Sequence, residues 1–353
     1  MAAASRPRSR PGSQRAVPPT SASDLTPPAE QVARFRRDLL ALTGEAPTPK
    51  RRLGLGVSGG PDSMALLLLA AAAFPDALCV ATVDHGLRPE AAEEAALVAG
   101  VCARLGVPHA TLAPPPGFSF AGNMQERARM LRYTVLGEWA RSSGAPWVAI
   151  AHQRDDVAET LLMRARRGSG VAGLAAMRRA RAIAGGTLLV RPLLDWSRAE
   201  LEGLAACKRV PIAKDRSNRD PRYDRSRIRA LIAASPDLVP SRLALSAQNL
   251  RHAEEAIEWA LAREAPARLR SDDAGTVTLD AAGLPYELRR RLVRVAVQQV
   301  RDAAGEDARW HEQGLDRLVA TLDAGGTGTI AGVKASAKYG EWRFSAAPPR
   351  RSH

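Results

Sequence analysis

The sequence predicts an α/β protein whose parallel sheet is followed by a smaller, mainly helical domain. Two observations predict the sheet. Apolar strands alternate with helical segments between residues 53 and 190, and the first strand runs directly into a glycine-rich turn. Buried strands separated by helices are typical of a parallel sheet covered on both faces. With 353 residues, the chain is long enough for two domains of ordinary size.

The first half of the chain supplies the alternating elements. A tail at 1–28 is rich in Pro, Ser, Ala and Arg, and we predict that it is disordered. Hydrophobic periodicity and turn residues then define the elements that follow. The predicted strands are 53–57, 78–83, 109–112, 147–151 and 188–190. The predicted helices are 31–42, 64–73, 89–105, 124–141 and 155–167.

The second half is expected to be mostly helical. Ser197 and Glu200 have the spacing of a capping box, which predicts a helix ending near residue 208. A polar loop follows at 215–225. Further helices are expected at 226–234, 244–265, 286–301 and 310–322, with short strands within 328–344. The predicted division is a tail at 1–28, a catalytic domain at 29–235, and a linker helix with a C-terminal domain at 236–353.

The positive charge is concentrated in two places. The net charge is +14, and residues 1–20 contribute four Arg without any acid. Residues 164–229 contain 17 Lys and Arg against 6 acids, so positive and negative charges nearly balance over the remaining positions. A basic stretch is the footprint expected of a phosphate backbone. A solvated Arg-rich face is the alternative, but the clustering favours a nucleic acid.

The cysteines and the apolar runs exclude several classes of protein. Cys79, Cys102 and Cys207 form no CxxC pair, and their spacing fits neither a disulfide framework nor a zinc site. Small buried side chains in a reducing compartment are the expected explanation. No apolar run approaches the roughly 18 residues of a membrane span, and the N-terminus lacks the apolar region of a signal peptide. We therefore expect a cytoplasmic protein without a membrane partner.

The glycine-rich turn after the first strand suits an anion. It comprises Ser58-Gly59-Gly60-Pro61-Asp62-Ser63 and leads straight into a helix. Glycines let the backbone approach a phosphate, while consecutive N–H groups and the helix N-terminus supply positive potential. Asp62 is suited to hold Mg²⁺ or to steer a leaving group. The spacing is neither Walker A nor GxGxxG; it resembles the PP-loop ATP pyrophosphatases, which cleave ATP between the α- and β-phosphates.

Four further stretches of sequence indicate which kind of PP-loop enzyme this chain resembles. Val83-Asp84-His85-Gly86-Leu87-Arg88 closes the second strand, where open α/β sheets bind ligands. A helix carries Arg129 and Arg132 on one face. Another helix begins with His152-Gln153-Arg154-Asp155-Asp156 and continues through Glu159 into an Arg-Gly-Ser-Gly run. Finally, Lys214-Asp215-Arg216-Ser217-Asn218 precedes a segment from Tyr223 to Arg229.

Together these motifs resemble the tRNA(Ile)-lysidine synthases of the PP-loop superfamily across roughly residues 50–235. The resemblance implies a Rossmann-like sheet of the adenine nucleotide α-hydrolase type and a C-terminal domain that contacts tRNA. It also implies a ligase reaction in two steps. ATP adenylates the wobble cytidine of a tRNA(Ile) with the anticodon CAU, and free L-lysine then displaces AMP to give lysidine. Gln153 departs from the family, in which a second His is common at this position.

The resemblance also assigns expected roles. Asp62, Arg129, Arg132, Asp156 and Glu159 are the expected catalytic residues, with Asp62 also linked to Mg²⁺. Asp156 or Glu159 is expected to hold the lysine ammonium and to accept its proton. ATP is expected to contact the residues of the turn and of the second strand: Ser58, Gly59, Gly60, Pro61, Asp62, Ser63, Asp84 and His85. Contacts with tRNA are expected from Arg164, Arg167, Arg225, Arg227 and Arg229.

Two other functions fit part of the pattern. A PP-loop tRNA thiolase shares the His-x-x-Asp-Asp-x-x-Glu-Thr element, but most such enzymes use paired cysteines or an iron–sulfur cluster. A nucleotide-dependent RNA-binding protein without chemistry would share the basic stretch. The sequence leaves open whether the protein forms a homodimer.

Overall fold

In the computed structural model, the chain divides into two compact units, Met1–Gln248 and Asn249–His353. The structure describes residues 23–86, 90–115, 118, 124–175, 177–213, 224–306, 310–338 and 341–348, without the side chains of 124–126 and 338. The predicted tail up to residue 22, Leu87 and Arg88, and the 214–223 part of the basic stretch lie outside the described residues.

The first unit contains a six-stranded sheet, and the strand positions predicted from the apolar pattern are confirmed. Its order is β3-β2-β1-β4-β6-β5; all neighbours are parallel except β5, which pairs antiparallel with β6. The sequence did not predict β5, which has only three residues and lies at the edge. The strands are β1 (Leu53–Gly56), β2 (Leu78–Val83), β3 (His109–Leu112), β4 (Trp147–Ile150), β5 (Ala180–Ala182) and β6 (Leu188–Val190).

Helices surround this sheet, and each predicted helix of the first unit is present. The predicted capping box is formed, with the Ser197 hydroxyl and the Glu200 carboxylate each bonding the other's backbone N–H. One four-residue helix, α6, was not predicted. The helices are α1 (Ala29–Thr43), α2 (Pro61–Ala73), α3 (Glu90–Leu105), α4 (Met124–Ser142), α5 (Arg154–Ala165), α6 (Val171–Leu174), α7 (Arg198–Cys207) and α8 (Asp224–Ala234).

The α2 helix is the centre of the packing. Its residues from Ser63 to Ala70 are all buried, as expected for a helix that is apolar on every side. The helix packs against β1, α1 and α7. Because α2 begins at Pro61, directly after the glycine turn, its burial fixes the position of the turn at the end of β1.

The second unit packs helices on an antiparallel sheet of order β7-β8-β11-β10-β9. It is the smaller, mainly helical domain that the sequence predicted, and its sheet includes two short strands, β7 and β8, that were not predicted. Its core joins Leu292 and Val297 of one helix to Leu318 of the next and Phe344 of the sheet. The elements are α9 (Pro240–Arg268, which begins in the first unit), β7 (Leu269–Ser271), β8 (Val277–Leu279), α10 (Tyr286–Ala303), α11 (Leu315–Asp323), β9 (Thr327–Ile330), β10 (Val333–Lys338) and β11 (Glu341–Ala346).

A buried ion pair fixes α10 within this unit. Arg291 donates to both carboxylate oxygens of Glu254 at 2.7 Å, and the two side chains are about one-tenth exposed. Such bidentate pairs are geometrically specific.

No helix in the described part of the chain combines the length and the apolar character that a membrane span requires.

Gly137 provides a test of the packing of α4. A Cβ there would overlap the carbonyl oxygen of Ala184 and lie 2.9 Å from its carbonyl carbon. We expect Gly137→Ala to lower the free energy of unfolding by about 1–3 kcal/mol, because overpacking outweighs the helix propensity gained. Urea unfolding followed by circular dichroism measures the change.

Gly203→Ala is the matched control. Gly203 lies in α7, and no atom lies within 4 Å of the position that a Cβ would occupy there. This change should therefore leave stability unchanged or raise it by up to about 1 kcal/mol. Equal unfolding curves for the two variants would contradict the proposed overlap.

Candidate active site

The candidate site lies at the carboxyl edge of the sheet, where the connections that follow the neighbouring strands β1 and β4 begin. The chain proceeds from β1 to β2 and β3 on one side, and then returns to place β4 on the other side of β1. This is a topological switch point, at which open α/β sheets bind ligands. The glycine turn follows β1, and α5 follows β4. The two predicted motifs therefore start from neighbouring strands.

The Ser58–Ser63 turn is shaped by its own hydrogen bonds. The Ser63 hydroxyl donates to the Gly60 carbonyl at 2.9 Å and accepts from the Ser58 N–H at 3.2 Å. Gly59 has φ +82°, and a Cβ there would lie 3.2 Å from that of Ala213. Among the described residues, the only atom within 4 Å of a Cβ at Gly60 would be the Ser58 hydroxyl oxygen, at 3.8 Å. The turn therefore leaves a cradle beside the start of α2.

Asp62 projects a free oxygen at this cradle. Its Oδ1 is buried and has no hydrogen-bond partner among the described residues. Burial, reinforced by the charge of Asp156, raises the pKa of Asp62 to about 7, although Arg198 acts in the opposite direction. An unpartnered buried carboxylate oxygen needs a cation or a donor.

The residues at the cradle fit Mg²⁺ bound mainly by substrate phosphates. Magnesium commonly uses one or two carboxylates together with phosphate oxygens and water, and Asp62 offers one such oxygen. The described residues form no cluster of three or more His, Cys, Asp or Glu that could bind a metal without the nucleotide.

A second group of charges surrounds Glu159 on α5. Glu159 is 1% exposed and accepts from three guanidinium groups: Arg198 at 2.7 Å, Arg225 at 2.8 Å and Arg229 at 2.8 Å. Arg198 begins α7, whereas Arg225 and Arg229 lie on α8. The structure thus brings predicted catalytic and predicted tRNA-binding residues together in one ionic cluster.

The pKa values of the two carboxylates of this cluster are shifted in opposite directions. Burial would raise the pKa of Glu159, but the bonds and charges of its three arginines outweigh burial and lower it to about 2. Burial raises the pKa of Asp156, despite its bond to Arg225 at 2.8 Å. Glu159 is therefore a permanent anion and a poor proton acceptor, whereas Asp156 is the better of the two bases.

Gln153 supports Asp156 locally. Its side-chain oxygen accepts from the N–H of Asp155 at 2.5 Å, and its own N–H donates to Asp156 at 3.2 Å. This is a reciprocal cap of α5, so the family difference at Gln153 is structurally accommodated.

Arg129 and Arg132 lie on α4 with exposed side chains. Arg132 approaches His85 at 3.3 Å, and Arg129 lies 5.2 Å from the centre of the Tyr133 ring. Within the described ranges, no carboxylate pairs with either arginine. Asp84 instead accepts from the Gly86 N–H at 2.8 Å and shapes the turn after β2.

Two of the remaining predicted tRNA-binding residues, Arg167 and Arg227, bond to Asp224, as does Arg166, which was not predicted. Arg166 and Arg167 bond to it at 3.0 and 2.5 Å, and Arg227 bonds to its other oxygen. One carboxylate against three arginines leaves a net positive surface. Arg164 donates to the Gly173 carbonyl at 2.5 Å and orders the Arg-Gly-Ser-Gly run.

Two residues of the site were not predicted from the sequence. Arg198 bonds Glu159, but its only sequence signal is its place after the capping serine of α7. Arg191 is 2% exposed and donates from Nε to Nδ1 of His152 at 3.0 Å. A lone arginine after a predicted strand carried no signal of this contact.

Comparisons with known proteins agree with this geometry. The PP-loop domain family matches residues 31–235. The tRNA(Ile)-lysidine synthase of Novosphingobium aromaticivorans is 45% identical, covering 91% of this chain and 95% of that protein. The enzyme of the same name from Zymomonas mobilis is 43% identical, covering 85% and 90%.

A solved structure agrees on the fold. The U34-tRNA thiolase NcsA from Methanococcus maripaludis, with its [4Fe-4S] cluster, aligns with a TM-score of 0.50 at 17% identity, covering 63% of this chain and 80% of that one. The chain belongs to the tRNA(Ile)-lysidine synthase family, and the expected PP-loop fold is confirmed.

The Asp62 carboxyl should destabilise the folded protein at pH values at which it is ionised. The folded protein keeps this group protonated up to about pH 7, whereas the ordinary pKa is 3.8. Stability therefore falls as the pH rises between these values. We expect Asp62→Asn to raise the free energy of unfolding at pH 8 by about 1–3 kcal/mol, and the gain to fade towards pH 4.

Urea titrations at several pH values without nucleotide measure this difference. Asp76→Asn, at an exposed aspartate after α2, is the matched control and should show no such pH-dependent gain. A stabilisation by Asp62→Asn that is the same at pH 4 and pH 8 would contradict the raised pKa.

Proposed function

We propose that this chain joins free lysine to position 2 of the wobble cytidine of tRNA(Ile) with the anticodon CAU, using ATP and Mg²⁺. Family membership supports lysidine formation by an ATP-binding PP-loop domain. The observation that carries the assignment of the site is the buried, unpartnered Oδ1 of Asp62, a residue of the phosphate cradle that also interacts with the charge of Asp156.

In the first step, the carbonyl oxygen at position 2 of cytidine attacks the α-phosphate of ATP, and pyrophosphate leaves. Negative charge develops on the departing phosphates. The N–H groups of the glycine turn and the start of α2 are preorganised to stabilise this charge. Arg129 and Arg132 are further cations that can stabilise the departing phosphates, because they have no carboxylate partner among the described residues. When bound at Asp62, Mg²⁺ would add charge neutralisation at the phosphates.

In the second step, the lysine amine attacks carbon 2 of the base. The bond between this carbon and its oxygen breaks, and AMP leaves with the oxygen. Lysine arrives as an ammonium and must first lose a proton. Asp156 suits this task because its raised pKa makes it a usable base. Glu159 has a pKa near 2 and three arginine partners, so we assign it to anchoring the arginines that surround the substrate.

The proposed tRNA path uses the basic surface around Asp224 and the exposed arginines of α4. Phosphate contacts from arginines position a nucleic acid, whereas a single-stranded loop presents its bases to a pocket. Within this proposal, Arg164, Arg167 and Arg227 contact the backbone. Arg225 and Arg229 are already bonded to buried carboxylates and act through them. A tRNA substrate also accounts for the expected cytoplasmic location.

The cysteines do not favour a thiolase. Cys79 and Cys102 are buried, and burial raises the pKa of their thiols to about 11 and about 12. A thiolate is the reactive form of cysteine, so these two are poor nucleophiles. Cys207 is exposed at the end of α7.

Product formation tests the site. We expect Asp62→Ala and Asp156→Ala to abolish lysidine while leaving the circular dichroism spectrum unchanged, because each removes a carboxylate used in one of the two steps. Mass spectrometry of the anticodon base, after incubation with tRNA(Ile) transcript, ATP and lysine, measures product. Glu93→Ala, at an exposed acid of α3, should retain full turnover. Product from both aspartate variants would refute the assignment of the site.

Salt-dependent binding tests the tRNA surface. We expect Arg167→Ala and Arg227→Ala each to weaken tRNA binding and to reduce the slope of log affinity against log salt by about 1. Asp224→Asn should act in the opposite direction, because it removes the one carboxylate that these arginines share.

Filter binding at several KCl concentrations measures these effects. Arg37→Ala, at an exposed arginine of α1, is the control and should leave the slope unchanged. Unaltered affinity in both arginine variants would contradict a tRNA path along the arginines around Asp224.

A further inference from the structure

His152 and Arg191 form a buried pair that the proposed chemistry has not used. Arg191 follows β6, and its side chain is almost wholly enclosed, at 2% exposure. Its Nε donates to Nδ1 of His152 at 3.0 Å, and its Nη1 donates to the Arg178 carbonyl at 2.6 Å. The second bond fixes the guanidinium, so that the first has a defined direction.

This contact determines which imidazole nitrogen carries the proton. A guanidinium has five N–H donors and no acceptor. The His152 Nδ1 must therefore offer its lone pair to Arg191. A neutral imidazole carries its one proton on the other nitrogen, which places the N–H of His152 at Nε2.

The surrounding charges keep the ring neutral. The charged groups that face His152 are Arg191 after β6, Arg225 on α8, and Arg129 and Arg132 on α4. Burial, together with these four cations, lowers the pKa of His152 well below its ordinary value. An imidazolium would add a fifth positive charge, so the neutral form persists through the physiological pH range.

His152 and Ser58 follow neighbouring strands at equivalent positions. Ile150 of β4 pairs with Gly56 of β1, and His152 lies two residues beyond Ile150, as Ser58 does beyond Gly56. Neighbouring strands are about 4.8 Å apart. His152 is mostly buried but retains some exposure, and within the described part of the chain nothing bonds to Nε2.

We propose that Arg191 is a positioning residue that holds His152 as an Nε2–H donor to a phosphate oxygen of ATP. The inference rests on the proposed function for the identity of the anion. Its physical basis is independent, since the contact with Arg191 orients the His152 ring, and β4, which precedes His152, pairs with the strand that enters the glycine turn. In this role His152 donates a hydrogen bond and neither gains nor loses a proton during the reaction.

The tautomer is measured first, on the full chain without substrate. Long-range proton–nitrogen correlation spectra of ¹⁵N-histidine protein report which imidazole nitrogen is protonated. The chain has six histidines, and the signals lost in His152→Gln identify those of residue 152. We expect the Nε2–H form from pH 6 to pH 8 in the wild type, and a substantial Nδ1–H population in Arg191→Met. A wild-type Nδ1–H or doubly protonated ring would overturn the proposal.

Kinetics then test the donor role through pyrophosphate release with tRNA and ATP. Loss of one preorganised donor to a reacting anion costs about 100- to 1,000-fold in turnover. We expect His152→Ala to lose at least about 100-fold, and His152→Gln to stay within about 10-fold of the wild type, because the glutamine N–H replaces Nε2–H. A glutamine variant as inactive as the alanine variant would indicate proton transfer and contradict the proposal.

Arg191→Met separates positioning from simple folding. We expect kcat to fall about 10- to 100-fold, with an unchanged KM for lysine. Arg179→Met is the matched control, since Arg179 lies opposite Arg191 at the end of the β5–β6 pair but its side chain bonds the exposed Asp195 at 2.7 Å. Full kcat in Arg191→Met, or an equal loss in Arg179→Met, would overturn the assignment. Because the spectra need no substrate, absence of lysidine would count against the proposed function instead.

Discussion

Glu159 lies 1% exposed at the junction of three helices, and its charge is balanced by guanidinium groups from two of them. Burying an unpaired carboxylate costs several kcal/mol, so these helices are constrained to meet where the pairs can form. Arg198 ties the start of α7 to α5, and Arg225 and Arg229 tie α8 to the same helix.

This ionic cluster explains how two neighbouring carboxylates acquire different properties. Asp156 and Glu159 are one helical turn apart, yet arginines lower the pKa of Glu159 to about 2, whereas burial raises that of Asp156. The pKa of Asp62 is raised to about 7 because burial and Asp156 act together. Pairs of groups whose environments separate their pKa values mark the division of acid and base roles in many enzymes. Here the division leaves one fixed anion and two titratable carboxylates near the phosphate cradle.

The arginines divide in a parallel way. Arg198 on α7 and Arg225 and Arg229 on α8 are paired with buried carboxylates, whereas Arg129 and Arg132 on α4 have no carboxylate partner among the described residues. The first group is structural in the sense that its removal exposes an uncompensated charge. The second group retains its potential for an incoming anion. The arginines named as site residues in the sequence therefore form two sets that differ in their pairing.

Local signals in the sequence determined the elements of the first unit and the glycine turn. Alternating apolar runs, the capping serine at 197 and the Ser58–Ser63 pattern depend on residues within a few positions of one another, and β2, β3 and β6 have the predicted bounds. Short edge elements such as β5 and α6 lack such signals, because three or four residues show no periodicity.

Only the tertiary structure decided the pairing of charges. Arg225 and Arg229 are 66 and 70 positions from Glu159 along the chain, and Arg191 is 39 positions from His152. The sequence pattern indicated tRNA contacts for Arg225 and Arg229 and no role for Arg191. Spacing along the chain carries no information about which distant side chains share a buried environment, and burial is what makes an ion pair obligatory and shifts a pKa.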